Sequence, residues 1–289
     1  MQQALFLECN AGLSGDMAVA ALLDAGASEA VLRKVLDSLP AQGFSIEITR
    51  VNKQGIDACD FNVVLDAHHE NHDHDMDYLY GHLHEGEMHA CGHEHGCDHN
   101  HNHEHPHEHP YEQPHEHRNL ASITENIQAS CASENAQACA LRIFSILAAA
   151  EAKAHGTSID EVHFHEVGAI DSSVDILAFA VCLDNLGIGD VIVPYVCEGR
   201  GSVRCQHGIL PVPVPAVCNI VAEHNIALKQ LPVDGELLTP TGAAIVAATR
   251  TKDTLPSTYC IRKIGMGTGK RNYPNTSGLV RAVIVEYNE

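Results

Sequence analysis

Apolar residues fall in short blocks along the chain, and the period of each block predicts its element. "ALFLE" (4–8) reads as a short buried strand. The Gly-rich turn "CNAGLSG" follows, and "DMAVAALLDAG" then reads as a helix, with Ser14 or Asp16 near its start and Gly26 as its stop. "SEAVLRKVLDSL" predicts a second helix ended by Pro40, and "FSIEITRV" and "DFNVVLDA" alternate as two strands. Residues 119–155 read as helical, with Leu141, Phe144, Ile146 and Leu147 on or near one face and Gly156 as the stop. "EVHFHEV" is a strand candidate, "DSSVDILAFAVCLDNLG" a helix and "DVIVPYV" a further strand. "VPAVCNIVAEHN" and "TPTGAAIVAATR" are helices with proline in the first turn, and the tail from Ser257 is two strands around a Gly-rich connection. Strands interleave with helices, so the predicted class is α/β, with α+β as the alternative: a mixed sheet with helices packed on it.

One stretch breaks this pattern. Residues 68–117 hold 17 of the 22 histidines, 12 of the 38 acidic residues and no Lys or Arg. With almost no aliphatic content, the stretch cannot bury enough apolar area to offset its ordering entropy, which predicts a disordered insertion. The expected organisation is therefore 1–67 and 118–289 as two parts of one α/β domain, with a His-rich, acidic, metal-binding insertion between them. The same stretch carries −12 of the formal −21, so the rest of the chain is only mildly acidic. That balance argues against nucleic acid, which requires a basic face. No apolar run approaches the ~20 residues that span a bilayer, and the first residues lack a basic, apolar leader pattern. A cytoplasmic protein is expected, with no membrane partner. The eleven cysteines include no CxxC pair and read mostly as reduced core residues.

Chemistry-bearing residues cluster at six places. In "VHFHEVGAIDSSVD" (162–175), strand alternation puts His163 and His165 on one face, where two neutral imidazoles can ligate one ion. Glu166 is beside them, and Asp171 and Asp175 share a helix face at i, i+4. A strand edge and a helix cap would use the same residues. "GLSGDM" (12–17) sets Ser14, Gly15 and Asp16 at what reads as an ordinary strand-to-helix turn, or as one whose free N–H groups suit an anion, or Asp16 a cation. His207 in "CQHGILPVPVPA" is a loop histidine. In "GELLTPTGAA" (235–244), Thr239 and Thr241 flank a helix start that suits a phosphate or carboxylate, or simply caps the helix. In "GMGTGKRNYPN" (265–275), Gly267 and Gly269 precede Lys270 and Arg271, which would wrap an anion or merely form a hairpin loop. In the insertion, dense histidine, including His99, His101, His103, His105, His107 and His109, suits loose, exchangeable capture of Ni²⁺, Cu²⁺ or Zn²⁺.

Taken in order, "SGDM", "HFHEVGAIDSSVDI", "HGILPVPVPA", "GELLTPTGAA" and "GMGTGKRNYPN" resemble the nickel insertion proteins of the LarC type, and the resemblance covers nearly the whole chain outside 68–117. It implies a nickel chelatase, of the lyase class, that inserts Ni²⁺ into pyridinium-3,5-bisthiocarboxylic acid mononucleotide. The product is the nickel-pincer nucleotide, the cofactor of lactate racemase. It implies CTP dependence, with Mn²⁺ or Mg²⁺ alongside CTP, residing in a C-terminal domain that is absent from this chain and in some members is separately encoded. Implied partners are the mononucleotide, that C-terminal half and the apo-racemase; the oligomeric state is left open. On this resemblance Asp16, His163, His165 and Glu166 would carry the chemistry, with Asp171 and His207 as further metal ligands. Ser14, Gly15, Thr239, Thr241, Gly267, Gly269, Lys270 and Arg271 would bind the nucleotide. Two other readings compete: a non-enzymatic nickel store or metallochaperone working through the insertion, and a zinc hydrolase, which lacks HExxH.

Overall fold

The computed structural model describes residues 1–41, 43–66, 120–159, 170–205, 208–273 and 275–288. Its main sheet has six strands: β1 (Gln2–Glu8), β2 (Phe44–Lys53), β3 (Ile56–Leu65), β4 (Asp190–Ile192), β9 (Cys260–Thr268) and β10 (Leu279–Tyr287). Their order is β2-β3-β9-β10-β1-β4. β2/β3, β9/β10 and β10/β1 are antiparallel, while β3/β9 and β1/β4 are parallel. The sheet is mixed, as expected. Its register is set by alternation: Leu5 and Leu7 of β1 and Val280, Ala282 and Ile284 of β10 enter the main core. Ala4, Val283, Val285 and Tyr287 form a small cluster on the other face.

Helix α1 (Gly15–Asp24) lies against this sheet and is buried on nearly every side, from Met17 to Leu22. A helix apolar all round belongs inside a molecule. β9 makes room for it with glycine. A Cβ on Gly265 would stand 2.1 Å from the Ala21 carbonyl oxygen, and one on Gly267 2.2 Å from that of Met17. The other helices are α2 (Glu29–Leu36), α3 (Leu120–Ala129), α4 (Glu134–His155), α5 (Ile170–Leu186), α6 (Pro215–Glu223) and α7 (Pro240–Thr249), of which α5 and α7 pack against α1. The helical stretch read over 119–155 is two helices. The second starts at Ser133, whose hydroxyl accepts from the Ala136 N–H at 3.1 Å, and ends at left-handed Gly156.

Four short strands were not resolved by pattern. β5 (Val196–Arg200) pairs parallel with β8 (Leu228–Asp234), and β6 (Ser202–Cys205) with β7 (Gly208–Pro211) as a hairpin. "DVIVPYV" is split at Pro194 into β4 and the start of β5. Two loops then lock together. Leu13 N–H donates to the Leu237 carbonyl and Thr239 N–H to that of Leu13, both at 3.0 Å. Gly12, at φ +86°, permits this, since a Cβ there would sit 2.0 Å from the Leu237 oxygen.

Among the described residues no helix is long and apolar enough to cross a membrane. The nine described cysteines are all free thiols.

Candidate functional site

Three segments converge beyond the C-terminal ends of β1, β8 and β9: the 9–14 turn leading into α1, the 235–239 segment leading into α7, and the Gly-rich 268–273 loop. Between them is an open cleft, lined among others by Ser14, Asp16, Glu236, Thr239, Lys270 and Arg271. Residues from three of the sequence motifs are thus brought to one place.

The cleft's rim is cationic, and each cation is tethered. Arg271 donates to Glu236 Oε2 at 2.9 Å, in a pair whose side chains are 18% and 8% exposed. Burial pulls the Arg271 guanidinium down, but Glu236 and Tyr273 outweigh it and keep the group charged. Tyr273 OH donates to the Glu236 carbonyl at 2.9 Å. Lys270 reaches Asn62 on β3. Lys53, at the end of β2, holds the Gly-rich loop from behind through the carbonyls of Gly269 and Arg271, at 3.1 and 3.2 Å. Burial lowers the Lys53 pKa, against the pull of Asp60 and Asp16.

The base is acidic. Asp16, in the first turn of α1, accepts from the Ser14 hydroxyl. Asp175 on α5 packs against that helix end, and the Asp16 N–H donates to its carboxylate. Burial pushes the Asp175 carboxyl well above its usual range, and Asp16 and Asp171 add to the shift; Lys270 opposes it. Asp60 on β3 is raised the same way, by burial and then by Asp16, with Lys270 and Lys53 opposing. One oxygen of Asp60 and one of Asp175 are buried without a hydrogen-bond partner among the described residues. Four carboxylates therefore share one field, offset by two lysines. Such a field draws in a cation, yet no group of three or more His, Cys, Asp or Glu is placed to hold a metal ion among the described residues.

The predicted residues separate accordingly. Ser14, Asp16, Thr239, Gly269, Lys270 and Arg271 line the cleft. Gly15 lies against Asp175, Gly267 against α1 and Thr241 is buried, so these three shape packing. Thr239 caps α7, its hydroxyl accepting from the Gly242 N–H at 3.1 Å. Asp171 sits in the first turn of α5. Cys9, in the turn that leads into α1, is buried with its thiol pushed up by burial. His163, His165, Glu166, His207 and the insertion's His99, His101, His103, His105, His107 and His109 lie outside the described residues. Sequence reading missed Lys53, Asp60 and Tyr273 as parts of the site. Only Tyr273 left a signal, inside the quoted Gly-rich motif.

Fold and cleft describe an α/β protein whose candidate site brings cationic and acidic side chains together. The chain belongs to the nickel insertion protein family, whose model matches residues 5–289. It is 49% identical over 288 residues to the pyridinium-3,5-bisthiocarboxylic acid mononucleotide nickel insertion protein of Alkaliphilus metalliredigens, covering 100% of this chain and 62% of that relative. A protein of the same name from Clostridium acetobutylicum is 42% identical over 93% of this chain and 60% of its own. The putative nickel insertion protein of Citrifermentans bemidjiense is 34% identical over 98% and 62%. The chain thus spans about three fifths of the length of these relatives. No solved structure matches.

Proposed function

We propose that this chain inserts Ni²⁺ into pyridinium-3,5-bisthiocarboxylic acid mononucleotide, forming the nickel-pincer nucleotide used by lactate racemase. The observation that carries the reading is the cleft's double charge: Lys270 and Arg271 on the rim, Asp16 backed by Asp60 and Asp175 at the base. The mononucleotide's phosphate and thiocarboxylates meet the rim. The incoming cation meets the base, where the carboxylate field offsets the loss of its water. The Gly-rich loop gives the ligand close access to backbone, and the tether to Lys53 keeps that loop in place.

His163, His165 and Glu166 join Asp16 as the groups that hold and surrender the metal. Nitrogen and oxygen donors release nickel more readily than a thiolate cage would. In sequence the stretch bearing them directly precedes α5, whose Asp175 carboxyl is raised by burial and then by Asp16 and Asp171. CTP with Mn²⁺ or Mg²⁺ acts through the further part found in the longer relatives, supplied in the same chain or separately.

The test is to mix the protein with Ni²⁺, CTP and the apo-mononucleotide, with and without a relative's C-terminal part, and follow the nickelated mass. Replacing His163 and His165 by alanine abolishes that product while leaving bulk nickel binding by 68–117 intact. No product in any combination overturns the reading.

A further inference from the structure

Glu198 belongs to none of the sequence motifs. It lies in the middle of β5 and is 1% exposed. Its Oε1 accepts from three backbone N–H groups: Gly199 at 2.8 Å, Leu237 at 2.8 Å and Leu238 at 3.1 Å. Its Oε2 is buried with no partner among the described residues. Two of the three donors belong to the segment that joins β8 to α7 and forms one wall of the cleft. That wall presents Glu236, which grips Arg271, and it carries the Leu237 carbonyl on which Leu13 leans. Gly199 allows the close fit, since a Cβ there would stand 1.9 Å from the Gly235 carbonyl oxygen.

We propose that Glu198 is a positioning residue for the cleft: its Oε1 clamps the 235–238 segment and so sets where Glu236 and Arg271 stand against the ligand. The consequence for substrate affinity rests on the reading of the cleft as a mononucleotide site.

The clamp carries a proton-dependent setting. Burial raises the Glu198 carboxyl to about 7, against the pull of the three N–H donors, and Glu236 pushes the same way. The other titratable group facing it is the Cys218 thiol on α6, itself raised by burial and then by Glu198. If the wall opened, water would reach the carboxyl and return it toward its usual 4.5. The closed wall is therefore favoured while Glu198 is protonated, and it loosens as pH rises through about 7.

The experiment measures hydrogen exchange at the Leu237 and Leu238 amides of the full chain, corrected for intrinsic rate, below and above that pH. Glu198→Ala lowers protection at both amides about tenfold or more, because two buried donors lose their acceptor, while Phe144 in the core of α4 keeps its protection. Wild-type protection falls as pH rises, and Glu198→Gln, which keeps the acceptor without the charge, is protected and flat. KM for the apo-mononucleotide follows protection, rising about tenfold in Glu198→Ala with a much smaller change in kcat. Equal protection in wild type and Glu198→Ala, or an unchanged pH dependence in Glu198→Gln, overturns the proposal. Failure of the wild type to bind the mononucleotide sinks the ligand reading instead, and amide exchange still decides the role of Glu198.

Discussion

A methyl group on residue 15 would stand 2.7 Å from Asp175 Oδ2 and 2.8 Å from its Cβ. Glycine at the head of α1 is there for a carboxylate of the protein itself. The sequence left "GLSG" open between an ordinary strand-to-helix turn and a place where free N–H groups meet an outside anion. It had no means of seeing Asp175, which is 160 residues away in sequence and satisfies the Asp16 N–H. Gly15→Ala should therefore destabilise the fold by about 1–3 kcal/mol, as overpacking does, measured by urea unfolding. An unchanged midpoint would mean that α5 yields easily at this point. Thr239 shows the opposite case. Both of its readings, cap and cleft residue, were open from the sequence, and the residue serves as a cap while lining the cleft. Lys53 could not be singled out at all, because a lysine closing a strand gives no hint of which distant carbonyls it meets.

Among the elements, the long helices and the outer strands were legible because each carries its own period and a start or stop: Gly156 ending α4, Pro215 and Pro240 heading α6 and α7; the break before α4 at Ser133 was not. The short strands β5 to β8 were not. They run four to seven residues and mix Glu, Arg, Lys and Gln with apolar positions, so alternation has no length over which to show. That blindness had a cost for the site, since β5 carries Glu198 and β8 leads into the cleft wall. The β2–β3 hairpin also does more than close the sheet, because Lys53 at its turn holds the Gly-rich loop. Lys53→Met removes two hydrogen bonds from a charged donor that is only partly buried. On the proposed function, KM for the mononucleotide should rise about three- to tenfold with kcat less affected. Steady-state kinetics checks this, and an unaltered KM would show that the Gly-rich loop holds its place without the tether.

Over the whole molecule, charge and histidine are divided unevenly. The body is mildly acidic and holds the cleft, while 68–117 holds most of the histidines. If the insertion gathers metal and the cleft transfers it, deleting 68–117 behind a short Gly/Ser linker should lower the nickel bound per chain in equilibrium dialysis. It should raise KM for Ni²⁺ and leave kcat at saturating nickel near wild type. A variant that loses turnover even at high nickel would favour a store working through the insertion itself. The change of composition at 68–117 is read directly from the sequence, and that stretch lies outside the described residues. The strand order could not be read there, since β3/β9 and β1/β10 join segments about 200 and 280 residues apart.

That last pairing also orders events in time. β1 is made long before its partner at 281–287, and β9, whose glycines admit α1, comes only shortly before that partner. In that interval the nascent chain carries an apolar helix and a strand that each still lack a partner from the 260–287 region. Non-local pairing of this kind slows folding and leaves sticky surface exposed in the interval. The acidic, histidine-laden stretch emerges within that interval, and its twelve carboxylates would keep the waiting chains apart by mutual repulsion.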